Sequence, residues 1–344
     1  MNARPLKPLP VADLEHVLAH AQRDFQNLRG AKIFLTGGTG FFGKWLVSSF
    51  IHANRSLGLH ASMVLLTRNP DRFRNECPDL AGDASVSLCP GDVSSFKFPS
   101  GEFSHVIHGA STANVKPAET FNGIVEGARR TLEFAASSGA NRFLFTSSGA
   151  VYGAQPSSMT HIPENFSGAP DQLQPSASYG EGKRAAEHLC SVLSAAHGFE
   201  ATVARCFAFS GPHLPLRANF AIGNFIGDVL ENRPIAIQGD GTPYRSYLYA
   251  ADLAVWLWGL LLRGQNGRAY NVGSDEDLTI AELASVVAEA VGVGTEIRIA
   301  QQPKLEAAPL RYVPSIERAR TELGLECWIK LRDGIRRTLV WLQK

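Results

Sequence analysis

A tyrosine and a lysine four positions apart carry the clearest chemical signal in this sequence. Tyr179 and Lys183 begin a stretch with helical periodicity, and residues at this spacing lie on one face of a helix. An ammonium beside a phenol stabilises the phenolate, so we expect Lys183 to lower the pKa of Tyr179 toward the working pH. Such a tyrosine can act as a general base or acid on a hydroxyl group.

A serine-rich strand end lies upstream of this pair. Thr146, Ser147 and Ser148 follow a short apolar run, and ligands of parallel α/β sheets bind at the carboxyl ends of the strands. Ser148 could hydrogen-bond the same hydroxyl on which Tyr179 acts. The alternatives are that Ser148 caps the next turn and that Tyr179 and Lys183 belong to a solvated helix face.

A glycine-rich loop stands between the first predicted strand and the first helix of the main body. Gly37, Gly40 and Gly43 have GxxGxxG spacing. The first glycine permits a tight turn, the second lets the backbone approach a pyrophosphate, and the third allows close packing of helix and strand. The helix start at Phe41 and Phe42 supplies amide donors and the positive end of a dipole. We interpret these five residues as cofactor-binding, together with Tyr179 and Lys183, and the loop as a dinucleotide site.

The residues after the second and third predicted strands bear on the choice of dinucleotide. An NAD site usually has an acidic residue after the second strand, where this chain has Arg68, and a guanidinium suits the 2′-phosphate of NADP. We therefore expect NAD(P), leaning to NADP, unless Arg68 is a solvated cation or stacks on the adenine. Asp92, followed by Val93, could accept from the adenine amino group or cap the following turn.

Elements that could position these residues follow from the alternation of short apolar runs with helical stretches. Strands are predicted at 33–36, 62–67, 86–90, 105–108, 142–147, 201–206 and 235–238, and helices at 41–53, 121–139, 179–197 and 219–231. This order predicts an α/β fold: a doubly wound Rossmann parallel sheet with a smaller mixed C-terminal substrate domain. We expect a helical extension at 1–29, a cofactor domain at 30–205 and a substrate domain at 206–344, with some interleaving. The extension is interpreted as an amphipathic helix docked on the main body, or alternatively as a dimer contact or partner tether.

Composition argues against several other classes of protein. Thirty-three basic and 32 acidic residues give a net charge of +1, without the electrostatic footprint of a nucleic-acid or membrane-surface protein. No apolar run reaches the roughly 18 residues of a membrane span. The five cysteines are scattered, which favours reduced core residues of a cytoplasmic protein and no metal site.

Taken in order along the chain, the glycine loop, Ser148, Tyr179 and Lys183 resemble the extended short-chain dehydrogenase/reductase family. The likeness is to its NAD(P)-dependent nucleotide-sugar epimerase/dehydratase branch and spans about residues 31 to 340, leaving the N-terminal extension outside. Other agreeing segments are Ser147-Ser148-Gly149-Ala150-Val151-Tyr152-Gly153, Arg205-Cys206-Phe207, Gly211-Pro212, Gly239-Asp240-Gly241, Tyr244-Arg245-Ser246-Tyr247-Leu248-Tyr249 and Tyr270-Asn271-Val272-Gly273.

The resemblance implies a substrate as well as a cofactor. A nucleotide-diphosphate sugar would bind the smaller domain, with Arg245 and Arg311 holding the diphosphate and Asn219 and Phe220 near the nucleotide. Structural ion pairs are the alternative for both arginines. The family's habit also implies a homodimer through the helices at 121–139 and 179–197.

Departures from the family pattern bear on the reaction. Dehydratases and the related decarboxylases carry an acid where this chain has Ala150, dehydratases have Asp in place of Gly149, and the usual Asn is replaced by Ala208. The sequence therefore favours an epimerase acting through a transient 4-keto sugar. The alternatives are an NADPH-dependent reductase of a nucleotide-linked 4-ketohexose, then a 4,6-dehydratase or decarboxylase, then a catalytically silent cofactor-binding protein.

Overall fold

A computed structural model describes residues 5–111, 116–218, 220–292, 294–303 and 308–343. Its strands, in chain order, are β1 (Lys32–Thr36), β2 (Ser62–Thr67), β3 (Val86–Pro90), β4 (His105–His108), β5 (Arg142–Ser148), β6 (Glu200–Cys206), β7 (Phe209–Ser210), β8 (Ile235–Ile237), β9 (Tyr244–Ser246), β10 (Leu248–Tyr249), β11 (Arg268–Val272), β12 (Asp277–Thr279), β13 (Ile297–Ile299) and β14 (Arg311–Tyr312).

Helices separate most of these strands. They are α1 (Val11–Gln26), α2 (Phe41–Leu57), α3 (Pro70–Glu76), α4 (Pro78–Ala81), α5 (Pro117–Ser137), α6 (Ser178–His197), α7 (Ala221–Leu230), α8 (Ala250–Arg263), α9 (Ile280–Val291), α10 (Glu317–Leu323) and α11 (Leu331–Gln343). Short 3₁₀ turns lie at Gly149–Tyr152 and Pro175–Ala177. Among the described helices, none is long and apolar enough to cross a membrane.

Seven parallel strands form the central sheet, in the order β11-β6-β5-β4-β1-β2-β3. The apolar runs predicted as strands are buried because helices cover both faces; Ile33, Phe34 and Leu35 of β1 have no exposed surface. The order runs outward in both directions from β1 and β4, which is the doubly wound Rossmann arrangement. The predicted α/β fold class is confirmed.

Beyond β6 the chain serves both the sheet and a smaller lobe. Helix α8 and strand β11 return to the sheet, so the two predicted domains interleave and the division at 205/206 stays a prediction. The smaller lobe contains a two-stranded β8–β13 pair and a three-stranded β12–β9–β14 sheet. Helices α7, α9 and α11 enclose an apolar core of this lobe around Ile222, Ile226 and Leu283.

The N-terminal helix packs on the main body through α8 and α2. Phe25 is fully buried, and its ring centroid lies 5.2 Å from that of Trp258 on α8. The Asp13 carboxylate accepts hydrogen bonds of 2.7 Å from Tyr249 and from Arg337 of α11. Helix α1 therefore contacts elements of both lobes rather than extending into solvent.

A buried histidine at the end of β4 links the sheet to its helices. A ring nitrogen of His108 is hydrogen-bonded to the hydroxyls of Thr36 at 2.8 Å and Thr131 at 3.2 Å, and the ring stacks on Phe145. Burial, and secondarily the charge of Lys183, lowers the pKa of His108 to about 3. The folded protein therefore keeps this ring neutral.

We expect acid to destabilise the fold partly through His108. Below its ordinary pKa of 6.5, the histidine of the unfolded chain binds a proton that the folded protein does not, so the free energy of unfolding falls as pH falls. The contribution of His108 to the change of unfolding free energy with pH approaches ~1.4 kcal/mol per pH unit. In urea unfolding between pH 7 and 5, the free energy of unfolding of His108→Gln should depend less steeply on pH than that of the wild type. His197→Gln, at an exposed position, is the control; an unchanged slope in His108→Gln would contradict this account.

Candidate functional site

Close backbone contacts shape the turn between β1 and α2. Gly37 has φ +76°, and the Gly40 amide donates to its carbonyl at 3.0 Å. A Cβ on Gly37 would lie 2.4 Å from the Gly109 carbonyl carbon, and one on Gly43 would lie 2.3 Å from the Gly37 oxygen. Only glycine fits at either position, and the start of α2 is thereby held against the end of β1.

A cavity of about 420 Å³ opens beside this turn, at the carboxyl ends of β1, β2, β3 and β4. It brings together five of the predicted cofactor-binding residues, namely Gly37, Gly40, Arg68, Asp92 and Val93. Additional lining residues are Thr39, Leu66, Thr67, Gly91, Gly109, Ala110 and Ser111. The position agrees with the general rule that ligands of doubly wound sheets bind outside the carboxyl ends of the strands.

Five predicted cofactor residues lie outside the cavity lining, namely Tyr179 and Lys183 of α6, described below, and three residues at the start of α2. Gly43 packs against the glycine turn, and the Phe42 ring meets Phe209 edge to face at 5.0 Å. Phe41 packs against the apolar cores of both lobes. Only the backbone of Phe41 and Phe42 is therefore available at the start of α2 for an anionic ligand.

Two charged residues lie at the far end of the cavity. Arg68 is exposed. The Asp92 carboxylate accepts from the Ser94 amide at 3.0 Å and the Ser94 hydroxyl at 2.6 Å, and these bonds, aided by the charge of Arg68, lower the pKa of Asp92. Asp92 thus caps the following turn, which is one alternative from the sequence, and it also lines the cavity. Its contact with an adenine stays a prediction.

Lys183 is buried in α6 beneath the end of β5. Its ammonium donates to the Thr146 carbonyl at 2.8 Å and lies 4.8 Å from the ring centroid of Phe145 and 5.9 Å from that of Tyr179. Burial lowers the pKa of Lys183 to about 8. The lysine therefore holds its charge up to mildly alkaline pH.

Tyr179 is half-buried one helical turn before Lys183. Its phenol interacts with the hydroxyls of Ser148 and Ser111, which favour the ionised form. Burial acts in the opposite direction and is larger, so the pKa of Tyr179 is raised. A lowering by Lys183, which we expected, is not among the effects on this phenol. The ammonium donates to the Thr146 carbonyl instead.

Ser148 ends β5 with its side chain buried at the site. Its hydroxyl accepts from the Ala150 amide at 3.2 Å, which caps the 3₁₀ turn, and it also interacts with the phenols of Tyr179 and Tyr312. Capping and a place at the candidate centre are therefore compatible. Sequence reasoning placed Ser148 here but missed Tyr312.

A buried polar network holds this centre from behind. Glu187, one turn after Lys183, accepts from the Ser147 hydroxyl at 2.5 Å and from the Arg205 guanidinium at 2.7 Å. Arg205 also donates to the Tyr152 hydroxyl at 2.9 Å. The network joins α6, β5, β6 and the 3₁₀ turn, so the segments that carry the candidate catalytic residues are fixed relative to one another.

The residues predicted to bind a substrate diphosphate differ in their surroundings. Arg245 donates to the adjacent Tyr244 carbonyl at 2.7 Å, and its guanidinium lies 5.8 Å from the ring centroid of Tyr312. Arg311 is ion-paired with Asp277 at 2.5 Å and lies over the Tyr244 ring at 3.9 Å. Arg245 is the arginine that faces the candidate centre, whereas Arg311 would have to exchange a carboxylate for a phosphate.

Phe220, the other residue predicted near the nucleotide, precedes α7 and is 47% exposed. The predicted substrate residue Asn219 lies outside the described residues. Within the described part of the chain, no group of three or more His, Cys, Asp or Glu side chains is arranged to hold a metal ion.

Three residues of the site escaped the sequence analysis as site residues. Tyr312 from β14 and Phe207 after β6 lie beside Gly149 with tilted rings whose centroids are 4.6 Å apart, and Ser111 follows β4. They arrive from separate parts of the chain, so no local spacing marks them. Tyr312 adjoins Arg311, which the sequence analysis did single out. Because neighbours on a strand face opposite sides, the ion-paired Arg311 leaves Tyr312 on the other face of β14.

Comparisons with known proteins show which families and proteins this sequence resembles. Residues 33–273 match the profile described as the NAD dependent epimerase/dehydratase family. UDP-glucuronic acid decarboxylase 1 of Arabidopsis thaliana is 30% identical over 317 residues, covering 89% of this chain and 68% of that protein. UDP-glucuronic acid decarboxylase 6 of the same plant is 29% identical over 310 residues, covering 88% and 86%.

Solved structures show the same fold. An epimerase from Methanothermobacter thermautotrophicus superimposes with a TM-score of 0.77 at 22% identity, covering 95% of this chain and 96% of that one. UDP-glucuronic acid 4-epimerase from Bacillus cereus, in complex with UDP-glucuronic acid and NAD, superimposes with a TM-score of 0.75 at 21% identity, covering 91% and 99%.

The glycine turn allows a sharp test of the cavity as a dinucleotide site. Gly43→Ala would drive a methyl group into the Gly37 carbonyl, so we expect a loss of ~1–3 kcal/mol in unfolding free energy and at least a tenfold weaker NAD(P) affinity. Gly40→Ala is the matched control for the stability measurement alone, because its methyl group would lie 3.4 Å from the nearest atom whereas Gly40 itself lines the cavity. We expect its stability to stay within about 0.5 kcal/mol of the wild type. Urea unfolding and calorimetric titration would measure both; a Gly43→Ala protein as stable as the wild type would refute the packing argument.

Proposed function

This chain belongs to the NAD-dependent epimerase/dehydratase family, and on that premise we propose that it is a nucleotide-sugar epimerase acting through a transient 4-keto sugar. The observation that carries the proposal is the junction between cofactor cavity and candidate catalytic centre. Ser111 both lines the cavity and interacts with the phenol of Tyr179. A bound dinucleotide and a reacting hydroxyl would therefore meet at Tyr179.

In this mechanism, Tyr179 accepts the proton of the sugar C4 hydroxyl while Ser148 orients that hydroxyl. Burial opposes ionisation of the phenol, so the phenolate depends on nearby hydrogen-bond donors and on the positive charge of Lys183. Lys183 keeps this charge below about pH 8. The bound nicotinamide supplies the hydride acceptor and donor. Tyr179 then returns the proton to the sugar oxygen, which forms the C4 hydroxyl with inverted configuration.

The surroundings of Gly149 and Ala150 support epimerisation over dehydration or decarboxylation. The related enzymes of those classes resemble this chain but carry an acid at Ala150, and dehydratases also carry Asp at Gly149. Here a Cβ on Gly149 would lie 2.7 Å from both the Phe207 ring and the Tyr312 hydroxyl. An acidic side chain at position 149 would meet both aromatic side chains, and neither Phe207 nor Tyr312 is a carboxylic acid.

For the cofactor, the proposal is NADP rather than NAD. The supporting observation is an exposed Arg68 at the rim of the cavity, where a 2′-hydroxyl-binding carboxylate is absent from the strand end. This arginine also favours the second candidate function, an NADPH-consuming reductase of a nucleotide-linked 4-ketohexose. A homodimer through α5 and α6 and a cytoplasmic location complete the proposal.

Replacing Arg68 tests the cofactor proposal. We expect Arg68→Ala to weaken NADP binding about tenfold, corresponding to ~1.4 kcal/mol, while NAD binding changes less than twofold. Arg74→Ala is the control, since Arg74 is exposed and pairs with Asp71 away from the cavity lining. Calorimetric titration of each variant with NADP and with NAD gives the ratio of the two affinities. Equal effects on NAD and NADP would exclude recognition of the 2′-phosphate by Arg68.

Replacing Tyr179 tests the reaction. The purified protein is incubated without added cofactor with UDP-, dTDP-, CDP- and GDP-sugars, and C4 epimers are followed by NMR. We expect interconversion with at least one sugar class, and Tyr179→Phe should lower its rate by ~10²-fold or more without weakening nucleotide binding. Tyr270→Phe is the control, because that phenol contacts Glu322 and lies away from the site.

One outcome would decide for the second candidate. If no epimers form without added cofactor, and a nucleotide-linked 4-ketohexose oxidises NADPH in equal amount, the protein is a reductase. Copurification of tightly bound cofactor would favour the epimerase, since an epimerase regenerates its cofactor in every cycle.

A further inference from the structure

Strand β14 carries Tyr312 into the candidate centre and is held there on both sides. It pairs in parallel with β9, with Tyr312 in register with Arg245. The next residue, Val313, donates from its amide to the Gln155 side chain at 2.9 Å and accepts from the Ile162 amide at 2.9 Å. The position of Tyr312 is therefore set by the fold rather than by a free loop.

The hydroxyl of Tyr312 lies at the reacting end of the site. It interacts with Ser148, which in turn interacts with Tyr179. It also lies 2.7 Å from the point where a Cβ on Gly149 would stand, and the Phe207 ring lies at the same distance. A phenol, a phenyl ring and a glycine together form one wall beside the hydroxyl-activating pair.

This wall carries no formal charge. Among the described residues, the charged or ionisable groups that interact with the Tyr312 phenol are Tyr179, Cys206 and Arg245, and Arg245 is the cation of this set. The guanidinium of Arg245 stands 5.8 Å from the Tyr312 ring centroid and is predicted to hold the diphosphate. The neighbouring Arg311 is paired with Asp277. A sugar carboxylate against this wall would lack a dedicated cation, whereas a neutral hydroxyl could exchange hydrogen bonds with the phenol.

We propose that Tyr312 is a specificity-determining residue of the sugar subsite, and that this subsite accepts nucleotide sugars with uncharged ring substituents and rejects uronic acids. The inference rests on the proposed function and deepens it by naming the substrate class. The phenol hydrogen-bonds a neutral substituent near the reacting carbon, and the Phe207 ring supports the phenol. Both aromatic side chains exclude water from the hydroxyl on which Tyr179 acts.

Calorimetric titration of the holoenzyme with UDP, UDP-glucose and UDP-glucuronate tests this inference, because the two sugars differ only at C6. We expect the wild type to bind UDP-glucose at least tenfold more tightly than UDP-glucuronate. Tyr312→Phe, which keeps the ring, should weaken UDP-glucose severalfold and leave UDP unchanged. Tyr312→Arg should narrow or reverse the preference by supplying a cation. If another of the four nucleoside diphosphates binds instead of UDP, its glucose and glucuronate esters replace the UDP pair.

The outcomes separate this inference from the proposed function. Equal or tighter binding of UDP-glucuronate by the wild type overturns the inference while leaving an epimerase intact. If Tyr312→Phe binds UDP-glucose as tightly as the wild type does, residues other than Tyr312 discriminate between the sugars, and the inference is overturned as well. If UDP, dTDP, CDP and GDP all fail to bind, the proposed function falls, and the inference falls with it. KM and kcat of the conservative Tyr312→Phe variant are also measured separately. A merely structural role of Tyr312 would not raise KM for one sugar alone.

Discussion

One hydrogen bond organises the candidate centre: the buried ammonium of Lys183 donates to the Thr146 carbonyl at 2.8 Å. A charge removed from water needs such a partner, so α6 is held against the end of β5 at this point. Helical spacing then brings Tyr179, one turn earlier, to Ser148 at the strand end. One turn later, Glu187 reaches Ser147 and Arg205. The same helix therefore carries the proposed proton-transfer group and its structural anchor.

The two lobes share this organisation because polar contacts run from one to the other. Tyr152 receives a hydrogen bond from Arg205 and donates to Asn271 of β11 at 2.8 Å, and the Asn271 side chain donates to the Ser315 carbonyl at 3.0 Å. Ser315 lies shortly after β14, which carries Tyr312. The segment from Tyr312 to Ser315, part of the proposed sugar subsite, is thus connected by consecutive hydrogen bonds to the helix that bears Tyr179. Such a fully partnered buried network favours a single arrangement of both lobes.

Local spacing was enough to predict the parts of the site that lie close together along the chain. Gly37 and Gly40 stand on one turn with Gly43 in the first turn of α2, and Tyr179 and Lys183 stand on one helix face, so periodicity and turn chemistry indicated them. Tyr312 and Phe207 were not found because they meet only in three dimensions, and the two-residue strand β14 is too short to show an alternation. The direction of the Tyr179 pKa was also beyond sequence reasoning, since it depends on burial that only packing determines.

The helices α1 and α11, first and last among those described, are tied to each other. The Trp341 indole donates to the Pro8 carbonyl at 2.8 Å, and the Lys7 ammonium donates to the Trp341 carbonyl. Together with the Asp13–Arg337 pair, these bonds join segments more than 300 positions apart into a nearly closed loop. Neither segment can fray alone without breaking contacts of the other. Opening at this seam would therefore be cooperative, with amide protons near both helices exchanging at a common rate.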